Sequence, residues 1–272
     1  MNKLFLLSLG CLIASGAFAQ DSTYSVRKDK STSKKERINR MLRMEEEGQL
    51  IFNKQNIFGI KMATDGYGIF FEKGKFITPT KTRLIQFELN EKKSPKEYKI
   101  SSGDLFGSSE IVGKLNNFYQ FKVSYGQQML IGGKGNKNGV AVTFIYMGGI
   151  SLGLQKPYVY NWFNWKDSLS SNPPLYQLSL LQALNDTANN YVYPPYSAAG
   201  FTKGWDHLVL KPGLSAKTAL RFDYGRFNTT VTAIEAGLNA EYYFSSIAQM
   251  YMVPYKHFFF NGYVTIMFGG RK

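Results

Sequence analysis

The stretch from Phe258 to Phe268, FFFNGYVTIMF, decides the fold. Phe260, Gly262, Val264, Ile266 and Phe268 fall on one side of an extended chain, and Asn261, Tyr263, Thr265 and Met267 on the other. A period of two is the mark of a strand. Working outward, the same alternation returns seven times upstream. Asn56 to Thr64 and Tyr67 to Lys75 form a pair joined by Asp65-Gly66, a strong hairpin signal. Lys81 to Glu91 sets Ile85, Phe87 and Leu89 against Gln86, Glu88 and Asn90, and Asn117 to Ile131 sets Phe121, Val123 and Tyr125 against Gln120, Lys122 and Ser124. A turn over Gly132 to Gly139 leads into Val140 to Gln155, where Val142, Phe144, Tyr146, Ile150, Leu152 and Leu154 oppose Ala141, Thr143, Gly149, Ser151 and Gly153. Leu214 to Phe227 places Leu220, Phe222 and Tyr224 opposite Lys217, Arg221 and Asp223. After Asn228-Thr229, Thr230 to Phe244 places Ile234, Leu238, Tyr242 and Phe244 opposite Glu235, Asn239 and Glu241.

Eight such segments predict an all-β chain, an eight-stranded antiparallel barrel over residues 56–272. Its closing strand resembles that of bacterial outer-membrane barrels, in which a glycine lies six residues before a terminal aromatic with apolar residues alternating between; Gly262, Val264, Ile266 and Phe268 supply that barrel-assembly signal here. The chain departs from the pattern by continuing through Gly269, Gly270, Arg271 and Lys272. The resemblance implies a transmembrane barrel in contact with outer-membrane lipid, inserted with the help of barrel-assembly machinery.

The other end of the chain agrees. Lys3, an apolar run from Leu4 to Ala14 and Ala17-Phe18-Ala19 before Gln20 predict a signal peptide over residues 1–19. The run is too short to cross ~30 Å of hydrocarbon as a helix. Cys11, the only cysteine, follows Ser8-Leu9-Gly10, a poor lipoprotein box, and leaves with the signal, so no disulfide is expected. The average is deceptive: mean hydropathy is -0.25 although 15% of residues are aromatic, because alternation hides apolar residues from a window average.

The chain carries a formal charge of +14, much of it local. Arg27, Lys28, Lys30, Lys34, Lys35, Arg37, Arg40 and Arg43 against Asp29 and Glu36 give residues 27–43 a net +6. Residues 20–55 read as a basic periplasmic arm, either solvated and disordered or held to anionic headgroups, where each basic residue contributes ~1 kcal/mol. Within it Ile38, Met41 and Leu42 have helical spacing and predict a short amphipathic helix that plugs or flanks the periplasmic mouth. Export excludes nucleic acid as the partner of this charge.

With an even strand number and both termini periplasmic, the connections after strands one, three, five and seven are external. The long segment 156–213 is therefore expected outside the cell, with Tyr158, Tyr160, Trp162, Phe163 and Trp165 forming an aromatic girdle where strand five leaves the membrane. Asp167-Ser168-Leu169 and Asp186-Thr187-Ala188 in that segment resemble the O-glycosylation site of Bacteroidota.

Eight strands enclose a lumen that side chains fill. The inward charges are Lys61, Lys122, Lys217 and Arg221 against Glu72, Glu88, Asp223, Glu235 and Glu241. They nearly cancel, which predicts internal ion pairs rather than a wall of one sign lining a selective channel. His207 and His257 are the only histidines, too few for a zinc site, and a rim hydrolase built on His207 and Asp206 is the weaker enzymatic reading. No cofactor and no catalytic set are expected.

The aromatic-rich strands, Gln20 after the cleavage site and the closing FFFNGYVTIMFGGRK together resemble the small outer-membrane barrels of Bacteroidota, similar in kind to those that accompany type IX secretion machinery. The resemblance implies an anchor or accessory subunit of an envelope assembly with a protein partner. The alternatives are a small-solute or lipid transporter, the rim hydrolase, and a soluble lipocalin-type barrel, which would turn the two faces of every strand around.

Overall fold

Eight long strands close on one another in an antiparallel ring, leaving no backbone donor or acceptor at a sheet edge. The computed structural model describes residues 53–78, 80–101, 109–134, 139–164, 166, 170, 174–186, 191, 195–225 and 230–272. The expected signal peptide, the basic arm as far as residue 52, Asn138, Trp165, Asp167-Ser168-Leu169, Thr187-Ala188 and Asn228-Thr229 lie outside the described residues. In chain order the strands are β1 (Lys54–Ala63), β2 (Gly66–Thr78), β3 (Lys81–Lys92), β4 (Lys99–Ser101), β5 (Ser109–Ile111), β6 (Asn116–Gly132), β7 (Ala141–Pro157), β8 (Val159–Trp162), β9 (Tyr176–Ser179), β10 (Ser197–Ala198), β11 (Val209–Asp223), β12 (Thr230–Ile247) and β13 (Lys256–Arg271), with helix α1 (Leu180–Asn185) after β9. The barrel order is β1-β13-β12-β11-β7-β6-β3-β2.

The stagger of the ring can be followed residue by residue. From Ala63 the partners run through Tyr263, Gly237, Ala219, Ile145, Gln128, Thr82 and Phe76. The Phe76 N–H then donates to the Asn53 carbonyl, ten residues back along the strand from Ala63. A shear of this size tilts the strands about 40° from the barrel axis.

Alternation becomes a radial partition. Phe222, Leu238, Val264, Ile266 and Phe268 are all exposed, between 38% and 59%, whereas Lys61, Glu72, Glu88, Lys122, Arg221, Asp223, Glu235 and Glu241 are at most 3% exposed. An apolar exterior around a charged interior is the arrangement of a transmembrane barrel and the reverse of a soluble one. No described helix is long and apolar enough to cross a membrane.

The start of β1, the end of β13 and the links after β2, β6 and β11 lie at one end of the ring, its terminal end. At the other end the links are Thr64-Asp65, residues 93–115, 158–208 and 248–255. Three of these build a crown. β4 pairs with β5, and β8 is the centre of a three-stranded sheet with β9 and β10. Helix α1 starts at a capping box in which Ser179 and Gln182 bond one another's backbone N–H.

The structure corrects several boundaries. β13 does not stop at Phe268 but runs to Arg271, because Gly269, Gly270 and Arg271 pair with Ile57, Asn56 and Gln55. The long connection is shorter at both ends than 156–213, since Lys156 still pairs with Asn117 and Val209 with Gln155. The girdle is also revised. Tyr160 and Trp162 are 0% and 1% exposed, forming the crown core with Leu115, Leu180 and Ala183, against which Tyr158 packs. They face folded protein instead of lipid because the chain turns back into β9 and β10 on leaving the barrel.

Val264 pairs with Met62 and Ala236 near mid-strand on the lipid side. Val264→Arg is expected to cost about 2–4 kcal/mol, read as a lower urea midpoint for unfolding from phospholipid vesicles.

Candidate functional site

Every charge assigned to the lumen from the sequence is found there, and most are joined in one ladder. Glu88 on β3 is the hub of its outer half: Lys61 on β1 lies 3.1 Å away, Lys122 on β6 2.9 Å and Lys217 on β11 3.4 Å. Three cations around one carboxylate need a second anion. Glu241 supplies it, 2.9 Å from Lys122 and 3.1 Å from Lys92, and Lys92 in turn reaches Asp65 at 2.5 Å. Gln120 and Asn239 both donate to Glu241, at 2.6 Å each.

Lys217 links this group to the inner half through Glu235 at 3.6 Å. There the Arg221 guanidinium makes two forked contacts: Nη1 and Nη2 to the two Glu72 oxygens at 2.9 and 2.7 Å, and Nε and Nη2 to Glu235 at 3.0 and 2.8 Å. The planar fork of arginine fits a carboxylate on each of two edges, which a lysine ammonium does not. Tyr263 donates to the remaining Glu235 oxygen at 2.7 Å, and Gln55 to Glu72 at 3.2 Å. Nearest the termini, Asp223 is paired with Arg271 and lies 3.7 Å from Lys134.

Apolar side chains occupy what the ions leave. Ile57, Phe70, Val231, Ala233 and Met267 cluster toward the terminal end, and Leu84, Ile145, Met147, Ala219 and Tyr263 cluster further up. Phe118, Tyr243 and Phe259 close the crown end with ring centroids 5.3 to 5.9 Å apart, and the Tyr243 hydroxyl meets Ser151 at 2.7 Å. Glycine makes this aromatic layer fit: a Cβ on Gly153 would stand 2.6 Å from the Phe118 ring, and one on Gly213 2.8 Å from that of Tyr243. A pocket at the crown-side mouth, lined in part by Asp65, Lys92, Gln120 and Asn261, offers about 10 Å³, room for one water.

Sequence reasoning missed Asp65, Lys92, Lys134 and Arg271. Asp65 had the look of a turn residue, yet its carboxylate accepts from both Lys92 and Asn261. Lys92 and Arg271 carry the inward parity of β3 and β13, and extending each strand to its paired length recovers them.

The barrel-assembly residues Gly262, Val264, Ile266 and Phe268 all lie on the outward side of β13, with the last three exposed. His207 and Asp206 are 3.3 Å apart, with side chains 66% and 73% exposed. They border a groove of about 380 Å³ with Lys203, Gln182 and Ser179, but the Ser179 hydroxyl is committed to the α1 cap, donating to Gln182 at 3.0 Å. His257 contacts the Tyr243 carbonyl at 3.1 Å. Among the described residues no set of three or more metal-ligating side chains comes together.

The crown is tied to itself by polar contacts as well as by its core. The Tyr160 hydroxyl shares its one proton between the carbonyls of Ile111 and Lys114, 2.7 and 2.9 Å away, and accepts from the Lys114 N–H at 2.8 Å. Asn116 donates to the Ala248 carbonyl at 2.7 Å, and Lys114 pairs with Glu97 at 3.0 Å. Three connections thus meet at one tyrosine and its neighbours.

An even strand count, termini at one end and long connections at the other make this a barrel of the outer-membrane type. No protein-family model and no curated protein matches the chain. Among solved structures it is similar to Ail, the attachment invasion locus protein of Yersinia pestis, at 10% identity over 82% of this chain and all of that one, with a TM-score of 0.39. Neisserial surface protein A gives 8% identity over 80% and 95% of the two chains, TM-score 0.38. The N-terminal β-barrel domain of Pseudomonas aeruginosa OprF gives 9% over 80% and 98%, TM-score 0.32. At such scores the fold rests on this chain's own pairing and radial partition.

Arg221→Leu strands Glu72 and Glu235 without their cation and is expected to cost about 3–5 kcal/mol in equilibrium unfolding from detergent micelles. Adding Glu72→Gln and Glu235→Gln should recover part of that loss. Tyr160→Phe removes the hydroxyl that joins residues 111 and 114 to β8; faster protease cleavage in 93–115 and 158–208 is expected, with the heat-shifted electrophoretic mobility of the barrel unchanged.

Proposed function

We propose that this chain is a closed, non-conducting barrel of the outer membrane that anchors its crown at the cell surface as a structural or accessory subunit of an envelope assembly. The observation that carries the reading is the ion-pair ladder from Asp65 to Glu72, continued by Asp223 and Arg271 at the terminal end. A transporter of solutes needs a lumen that water can fill, and here charged groups spend their hydrogen bonds on one another across the bore. What remains free to act is the crown, whose described residues between β7 and β11 form β8, β9, β10 and α1. A rigid surface element on a plugged barrel suits a protein partner, and the secretion-linked barrels of Bacteroidota are the kind of assembly it fits.

In planar bilayers the reconstituted mature protein is expected to leave conductance at the level of the protein-free membrane. Stepwise openings by the unmodified protein would overturn the reading. Crosslinking in native membranes should recover a defined envelope protein through crown lysines such as Lys203, and lose it in the Tyr160→Phe variant.

A further inference from the structure

The lipid-facing surface is not the same height all the way round. On β12 six successive outward positions are apolar, Ile234, Ala236, Leu238, Ala240, Tyr242 and Phe244, and β13 matches them from Phe258 to Phe268. On β1, β2 and β3 only three successive positions are apolar on each strand: Phe58, Ile60 and Met62; Tyr67, Ile69 and Phe71; Ile85, Phe87 and Leu89. With ~3.3 Å per residue and a tilt near 40°, eleven residues cover roughly 27 Å of the membrane normal and five cover roughly 12 Å. An apolar belt of ~25 Å is the usual height, so β12 and β13 provide a full belt and β1 to β3 about half of one.

On the terminal side the apolar run on these three strands gives way to cations. Lys54, Lys73, Lys75, Lys81 and Arg83 are all exposed and all on the outward face. Lys54 is the direct cross-strand partner of Lys75, and Lys75 of Arg83. Like charges set opposite one another destabilise a sheet, and none of the five has a carboxylate partner among the described residues. Lys73 and Arg83 instead lie over the Phe71 and Tyr125 rings at 5.6 and 5.9 Å, their stems along the apolar surface and their charges at its margin. A row of unneutralised cations at the terminal margin of the belt is complementary to a layer of phosphates.

We propose that the outward face of β1 to β3, at its terminal margin, is a binding site for the phosphate headgroups of anionic phospholipid in the leaflet on the terminal side. This rests on the outer-membrane reading, which places that leaflet at the periplasmic side. The register sets Phe58, Ile60 and Met62 beside Phe268, Ile266 and Val264, so the belt is short on the crown side and its terminal edge is shared by β1 and β13; Lys54, Lys75 and Arg83 lie past that edge, where phosphates replace acyl chains. The row has no counterpart on β12 and β13, where the outward positions past Ile234 and Phe268 are Thr232, Thr230 and Gly270.

The test is native mass spectrometry of the folded mature protein in detergent, offered cardiolipin, phosphatidylglycerol and phosphatidylethanolamine in equal amounts. Retention of the two anionic lipids over phosphatidylethanolamine is expected, falling about tenfold or more in Lys75→Gln/Arg83→Gln and unchanged in Lys203→Gln/Lys256→Gln. Heat-shifted mobility on electrophoresis reports whether each variant has folded as a barrel, so a lost barrel is told apart from a lost site; Lys54→Gln/Lys73→Gln serves if the first pair does not fold. Equal retention of the zwitterionic lipid, equal loss in the control pair, or a folded patch variant that keeps its anionic lipid overturns the proposal. An acidic protein segment as the occupant would give that last result.

Discussion

Arg221 grips Glu72 and Glu235 at once, and the interior of the barrel is organised around that double fork. A guanidinium and two carboxylates have been taken out of water, so each must meet its partner at hydrogen-bond distance. The requirement spreads outward. Glu235 also receives Tyr263 and approaches Lys217, Lys217 approaches Glu88, and Glu88 gathers Lys61 and Lys122. Strands β1, β2, β3, β6, β11 and β12 are held across the bore by side chains as firmly as their edges are held by backbone. Such a core fixes register as well as energy, because sliding any strand by one residue turns its charges toward lipid.

The molecule therefore divides its chemistry by radius and by height. The bore is ionic, the outer wall apolar, and the crown a small aromatic core with its own sheet. The crown does not borrow the barrel's logic: Tyr160 and Trp162 are buried against Leu115, Leu180 and Ala183 as in a water-soluble domain. Between the two lies the layer of Phe118, Tyr243 and Phe259, which belongs to both, with Lys92 4.9 Å from the Phe259 ring. This layering is why the barrel suits an anchor better than a conduit. Around the circumference a further asymmetry appears, for the wall is tall on β12 and β13 and short on β1 to β3.

The strands and the residues that share a face were legible because both follow from a period of two, which needs no knowledge of neighbours. The nine lumen charges were legible as one face for the same reason, and the resemblance of the closing strand to outer-membrane barrels was what assigned that face to the lumen. Lys92 and Arg271 escaped because each sits one to three residues past the point where hydrophobic alternation fades, and only pairing shows that the strand goes on. Asp65 escaped because Asp-Gly is explained completely by a turn. The aromatic run at 158–163 misled because amphipathic rings suit a membrane interface and a loop core equally well, and nothing in its spacing separates the two.

By itself the sequence determined that there are two kinds of surface and assigned most residues to one or the other. It could not say which of the two faced the axis, since alternation is the same pattern inside out. That was decided by the folded barrel, which buries the charged face and exposes the apolar one, and a shear of ten residues sets which levels meet across the bore. The pairing of Arg221 with Glu72, 149 residues away, exists only because that stagger brings β2 and β11 to one height.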